Sequence, residues 1–381
     1  MSRPGPIRTR LCEELGVEHP VLLAGMGLKG LATPPALVAA VSEAGGLGVM
    51  GCSWTPPETV RERIGEVRRL TKKPFGVDLL LPASMDPGAV PDWGAMRARI
   101  EREYPRHVAF VDEVLQEHGL ERESAPPGEV LAPESIRASV EVVLQERVPV
   151  FAAGLGDPAW VVPLARAAGT KVMGLAGSLR HAQRHRAAGV DYVIAQGSEA
   201  GGHTGTVTSL TLWPQVVDAV SPLPVIAAGG IGDGRGLVAA LALGCVGAWV
   251  GTAFLLSEES RIHLEHKRQI AGARSEDFVV TRAYTGKTGR DFRNDLIRRW
   301  EASGLEALPM PLQSLVMEDL LHSAARAGRY DLLNNPAGQV GGMLDTVRPA
   351  REIFSDLVEG ARRTLDALWA MAPAGASADA G

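Results

Sequence analysis

Short apolar runs alternate with longer amphipathic stretches through most of the first two thirds of the chain. Eight runs, at 21–24, 47–50, 75–81, 148–153, 171–175, 192–195, 225–228 and 248–251, are apolar almost throughout. That is the pattern of parallel strands covered on both faces. Most are followed by stretches with helical spacing, at 35–44, 57–70, 158–168, 178–188, 210–220 and 234–243. Gly169, Gly189 and Gly244 stand just past three of these, where glycine commonly stops a helix, and each leads into the next run. Eight strands with interposed helices predict an α/β fold, a (β/α)8 TIM barrel. An open doubly wound sheet is the competing arrangement. The count of units, with no sign of a reversal in strand order, favours the barrel.

Two regions break the repeat. Residues 82–133 read as an insertion after the third strand, with charged, potentially helical stretches at 93–104 and 106–118 and a Pro/Glu-rich piece at 121–133. The barrel is expected to span 7–257. A smaller, mostly helical domain is expected at 258–347, then a helix at 348–368 that returns to the barrel. The Ala/Gly/Ser-rich end, 372–381, is expected to be disordered.

Bulk properties narrow the class further. Hydrophobic residues make up 45% of the 381 and charged ones 22%, as in soluble globular proteins. The net charge of -5 gives no basic surface for nucleic acid. Cys12, Cys52 and Cys245 are far apart and form no CxxC or metal-type spacing, which fits a reducing cytoplasm. The basic N-terminus lacks the apolar stretch of a signal peptide. No run approaches the roughly 18 apolar residues of a membrane span. Nothing fixes the oligomeric state; a homo-oligomer is compatible.

In such a barrel the chemistry belongs at the carboxyl ends of the strands. The sixth run leads into Gln196-Gly-Ser-Glu-Ala-Gly-Gly-His203-Thr-Gly205, one histidine amid four glycines. Glycines let the backbone approach a flat or charged ligand, and a histidine held there can move a proton near neutral pH. Gly229, Gly230 and Gly232 after the seventh run, with Gly251 and Thr252 after the eighth, form a candidate phosphate cradle of backbone N–H groups at a helix start. Gly25-Met-Gly-Leu-Lys-Gly30 matches G-x-G-x-x-G, but Thr33-Pro-Pro35 delays the helix and no acid follows the second run. A dinucleotide fold is therefore set aside, and a flat ring over Ala24, Gly25 and Met26 is the better use of that loop. Lys29 is expected to be solvated, and Asp157 and Asp233 to cap helices. His181, His185, His263 and His266 are expected on the surface. No metal-ligand spacing and no Gly-x-Ser-x-Gly elbow is present.

These motifs resemble the nitronate monooxygenases, formerly called 2-nitropropane dioxygenases. The likeness rests on Gly197-Ser-Glu-Ala-Gly-Gly-His203, Pro224-Val-Ile-Ala-Ala-Gly-Gly-Ile231, Gly251-Thr-Ala-Phe254, Pro20-Val-Leu-Leu-Ala-Gly-Met26, Gly45-Gly-Leu-Gly48 and Gly286-Lys-Thr-Gly-Arg-Asp-Phe-Arg-Asn294. It covers about residues 7–357 apart from the insertion. The resemblance implies an FMN-binding barrel with a smaller helical substrate domain. The FMN phosphate would lie on Gly229, Gly230, Gly251 and Thr252, and the isoalloxazine on Ala24–Met26 near Gln196, Gly201 and Gly202. His203 would be the catalytic base. The implied reaction joins a nitronate or nitroalkane with O2 and yields a carbonyl compound and nitrite. One position departs: the family usually has Asn in the third strand, and here Asp78 stands beside the expected ring. Flavin-dependent enoyl-acyl-carrier-protein reductases share the histidine loop, so an NAD(P)H-driven enoyl-thioester reductase is the alternative. An inosine-monophosphate-type dehydrogenase would need a cysteine after the sixth strand, and none lies between Cys52 and Cys245. A flavin sensor without turnover would have no use for the histidine.

Overall fold

The structure, a computed structural model, describes residues 7–27, 30–81, 92–125 and 133–371. Lys29, parts of the insertion and the tail at 372–381 lie outside the described residues. Eight parallel strands follow one another around a ring: β1 (Val21–Leu23), β2 (Gly48–Gly51), β3 (Phe75–Leu80), β4 (Val150–Leu155), β5 (Lys171–Ala176), β6 (Tyr192–Gln196), β8 (Val225–Ala228) and β9 (Gly247–Val250). The short β7 (Gly202–His203) stands outside the ring. A bridge between Leu22 and Leu47 joins the two ends of the sheet, with Leu23 N–H donating to Leu47 O at 2.9 Å. The expected (β/α)8 barrel is therefore the fold. The strand expected at 148–153 begins and ends two residues later.

Side-chain alternation sorts the strands into two faces. Val21, Leu23, Val77, Leu79, Val193, Val225, Ala248 and Val250 point out and pack under the helices. Leu22, Leu47, Val49, Val150, Met173, Tyr192, Ile194, Ile226 and Trp249 point in and fill the lumen. Toward the carboxyl ends the inward series becomes small on β1, β2, β4, β8 and β9, with Ala24, Gly51, Ala152, Gly154, Ala228 and Gly251, while β3, β5 and β6 bring Asp78, Leu80, Leu175 and Gln196. The barrel is thus packed below and shallow on top. Helix α1 (Arg10–Leu15) plugs the lower end with Leu11, Cys12 and Leu15, and Tyr192 O–H donates to Glu14.

The outer layer is formed by α2 (Pro35–Glu43), α3 (Pro57–Leu70), α6 (Pro133–Gln145), α7 (Val162–Ala168), α8 (Leu179–Ala188), α9 (Ser209–Val220) and α10 (Gly234–Ala242). Asp157 caps a 3₁₀ turn, Pro158–Trp160, that precedes α7, so the helix expected at 158–168 is broken in two. Asp233 caps α10 as expected. Gly169, Gly189 and Gly244 all adopt left-handed φ. Helix α6, which was not among the expected helices, buries Ile136, Val140 and Val143 at helical spacing.

The insertion supplies α4 (Trp93–Glu103) and α5 (Pro105–Glu117). After β9 come α11 (Thr252–Leu255), α12 (Leu264–Ala271), the hairpin β10 (Phe278–Thr281) and β11 (Gly289–Phe292), α13 (Asp295–Ser303) and α14 (Leu312–Arg326). The insertion and this later segment share one apolar core: Phe110, Val111 and Val114 pack with Ile297, Trp300, Val316 and Leu320. Phe110 meets the Trp300 ring edge-on at 5.3 Å, and Arg97 pairs with Glu318 at 2.7 Å. Helix α15 (Ala350–Ala370) packs on the barrel, where Ile353, Phe354, Leu357 and Ala361 join the outer core.

Candidate active site

The candidate catalytic and cofactor-binding residues fall at the shallow end of the barrel, at or just beyond the carboxyl ends of its strands. Ala24, Gly25 and Met26 leave β1, with Met26 Sδ leaning over the Gly251 position next to Ala24. Asp78 points inward from β3 in register with Gly51 and Ala152. Its carboxyl is wedged between two glycines: a Cβ at Gly25 would overlap the Asp78 side chain, and one at Gly154 would come within 2.9 Å of Oδ1. Burial pushes this carboxyl up to about 8. Gln196 ends β6 and is half-buried.

The loop after β6 is held by a dense set of polar contacts. Glu199 accepts from Ser209 N–H at 2.9 Å and so sits on the N-terminus of α9. Arg290 donates to Ser198 O at 2.9 and 3.0 Å. Gly229 and Gly230 both have left-handed φ, +88° and +72°, which turns the chain sharply between β8 and α10. A side chain at Gly229 would also strike Gly197 O. Thr252 Oγ1 accepts from Gly338 N–H at 2.9 Å, and among the described residues its own O–H donates to no acceptor.

His203 is positioned by a feature that no local pattern announced. Gly202 and His203 pair antiparallel with Arg290 and Gly289 of β11, forming a three-stranded sheet over the mouth. This places Thr285 Oγ1 3.2 Å from His203 Nε2. Burial, and secondly the charge of Lys287, hold the imidazole below its ordinary range, so it is neutral at neutral pH. Residues 336–339 also cross the mouth: Gln339 N–H donates to Glu199 O at 3.0 Å, and no side chain would fit at Gly201 against Ala337 and Gly338. Thr285, Lys287 and Gly338 were missed because each lies at least 80 residues from the loop it completes. Their signal was the Gly286–Asn294 motif, which carries no sign of its partner.

Two expectations need correction. His185 is buried, not on the surface; its ring packs on Gly174 of β5 and its Nε2 lies 2.9 Å from Leu175 O. His266 is likewise buried, with Nε2 3.2 Å from Tyr330 O. The glycine in the middle of β5 leaves the space that the His185 ring fills. Among the described residues no group of three His, Cys, Asp or Glu could hold a metal ion. A cavity of about 1000 Å³ opens elsewhere, between α10, α15 and the loop at 343–348, and includes neither His203 nor Asp78.

The residues present fit a flat, phosphate-bearing ligand. The top layer is small where a ring would need room, and Gly229, Gly230, Gly251 and Thr252, on the loops after β8 and β9 next to β1, offer backbone N–H groups and a hydroxyl. A (β/α)8 barrel with a buried imidazole and glycine-rich loops at its carboxyl face has the framework of an enzyme. The sequence profile of the nitronate monooxygenase family matches residues 8–360, and the chain belongs to that family. Rv1533 of Mycobacterium tuberculosis, named only provisionally as a monooxygenase, is 38% identical over 93% of this chain and 96% of its own. A Staphylococcus aureus protein named probable nitronate monooxygenase is 31% identical over 92% of this chain and 96% of its own. Among solved structures, nitroalkane oxidase from Streptomyces ansochromogenes superimposes with a TM-score of 0.78 at 30% identity, covering 94% of this chain and 99% of that one. FabK from Thermotoga maritima gives 0.74 at 34% identity, covering 96% and 99%.

Proposed function

We propose that the protein uses FMN to oxidise alkyl nitronates, or the parent nitroalkanes, with O2 to carbonyl compounds and nitrite. The observation that carries this reading is the His203 imidazole, held by the pairing of Gly202 and His203 with β11 and 3.2 Å from Thr285 Oγ1, where burial lowers its pKa. A neutral imidazole is a competent base for the acidic C–H next to a nitro group. Once the ring carries two protons, Nε2–H can donate to Thr285 Oγ1. When bound, FMN would supply the electron acceptor and the route to dioxygen. Gly229, Gly230, Gly251 and Thr252 would hold its phosphate, with Ala24, Gly25, Met26, Asp78, Gln196, Gly201 and Gly202 around the ring. The helical unit over the mouth would shape the substrate pocket. The three cysteines are free and buried, in keeping with a reducing cytoplasm, and no helix among the described residues is long and apolar enough to cross a membrane.

His203→Ala tests the assignment. We expect neutral nitroalkane turnover to fall by about 10²–10⁴-fold, the usual worth of a general base, while FMN binding and turnover of preformed nitronate suffer less. Equal nitroalkane rates in variant and parent would sink the base role. The Gly197–His203 loop is also that of flavin-dependent enoyl-acyl-carrier-protein reductases, and anaerobic mixing separates the two readings. Bleaching of the flavin by nitronate supports the monooxygenase, whereas bleaching by NADPH supports the reductase.

A further inference from the structure

We propose that Asp78 acts as a neutral carboxylic acid, donating a hydrogen bond from the barrel floor to an acceptor atom of the flavin ring; this rests on the FMN reading above. Asp78 alternates with the outward Val77 and Leu79, so its side chain points into the upper lumen. The residue is 5% exposed. Its walls are Gly25, Gly154 and the β-strand neighbours Gly51 and Ala152, none of which brings a charge or a polar side chain. Among the described residues its carboxyl has no hydrogen bond and no ion pair. The titratable and charged groups nearby are Cys52 at the end of β2, and Arg63 of α3, whose Nη1 donates to Thr55 Oγ1 at 3.3 Å and whose charge acts on Cys52. An isolated carboxylate is strongly disfavoured in such a place, whereas the protonated acid is tolerated and has one O–H to give. With no acceptor bonded to it among the described residues, that O–H is available to a ligand lying on the floor.

The proposal fixes the sign of a pH effect. Burial places the carboxyl at about 8. Above that the donor is lost and a negative charge lies under the ring, so FMN should bind less well as pH rises. Linkage gives about tenfold weaker binding per pH unit beyond the pKa. His203 is already neutral there, and Cys52 is pushed up to about 12, so neither titrates across the same interval.

Equilibrium FMN binding to the apoprotein, followed by flavin fluorescence from neutral to alkaline pH, is the test, with Asp78→Asn and Asp78→Leu alongside. The wild type should lose affinity with that slope. Asp78→Asn, which keeps a donor, should stay level near the neutral wild-type value, and Asp78→Leu should be level but weaker throughout. Infrared difference spectra of the apoproteins at neutral pH should show a protonated-acid carbonyl band in the wild type that Asp78→Asn lacks. Level wild-type binding, a slope that survives in Asp78→Asn, or absence of the band overturns the donor role alone. Failure of the wild type to bind FMN at any pH overturns the FMN reading, and the donor role with it.

Discussion

At the scale of single residues, the candidate base is set by two neighbours that arrive from far along the chain. Thr285 Oγ1 faces Nε2 of His203, and Lys287 adds a positive charge that disfavours protonation. Lys287→Met removes that charge. The His203 pKa should then rise toward the ordinary 6.5 without reaching it, because burial, the larger cause, remains. The acid limb of kcat/KM for a neutral nitroalkane should move to higher pH, and a pH profile measures the shift. An unmoved limb would mean that burial alone sets the base. His203 was legible in the sequence because four glycines surround it. The burial of His185 was not, since only the fold shows that its helix lies over Gly174.

At the scale of elements, a tight crossing joins α10, which starts at the candidate phosphate loop, to α15. A Cβ at Gly234 would overlap the backbone at Gly360 and Ala361, whereas one at Gly360 would meet Gly234 at an ordinary 3.4 Å. Gly234→Ala should therefore cost about 1–3 kcal/mol, the usual penalty of overpacking, and weaken FMN binding as α10 shifts. Gly360→Ala should be neutral or gain up to about 1 kcal/mol, because alanine is the better helix former. Thermal denaturation of the two variants compares them directly. The strands and most barrel helices could be read from periodicity, since each buries its own face. The pairing of β7 with β11 could not, because two residues carry no periodic signal.

At the scale of the whole molecule, buried ionisable groups bound the stability from both sides. His19, His185, His203 and His266 all have pKa values lowered by burial. Their contribution is present above the unfolded value of 6.5 and is lost as pH falls below it. Asp78 and Asp291 behave oppositely. Burial raises them to about 8 and about 7, so stability is lost as pH rises through those values. Asp291 Oδ1 has no hydrogen-bond partner. Asp291→Asn should consequently raise the melting temperature above pH 7 and change it little below about 3.8, the unfolded carboxyl value. A melting series across pH tests this, and an equal gain at all pH values would contradict it. The shared core of the insertion and the 258–347 segment belongs to this scale too. Phe110 and Trp300 lie in separate stretches whose charged faces read alike, and nothing local tells which apolar stripe meets which.

The sequence by itself determined the eight-strand barrel, its helix stops, and the glycine loops at the carboxyl ends of its strands. Strand and helix periodicity and glycine torsions act within a few residues of chain. Only the tertiary structure decided the partners of His203, the isolation of the Asp78 carboxyl, and the joining of insertion to tail. Those depend on which distant surfaces exclude water together, and burial is a property of the packed molecule.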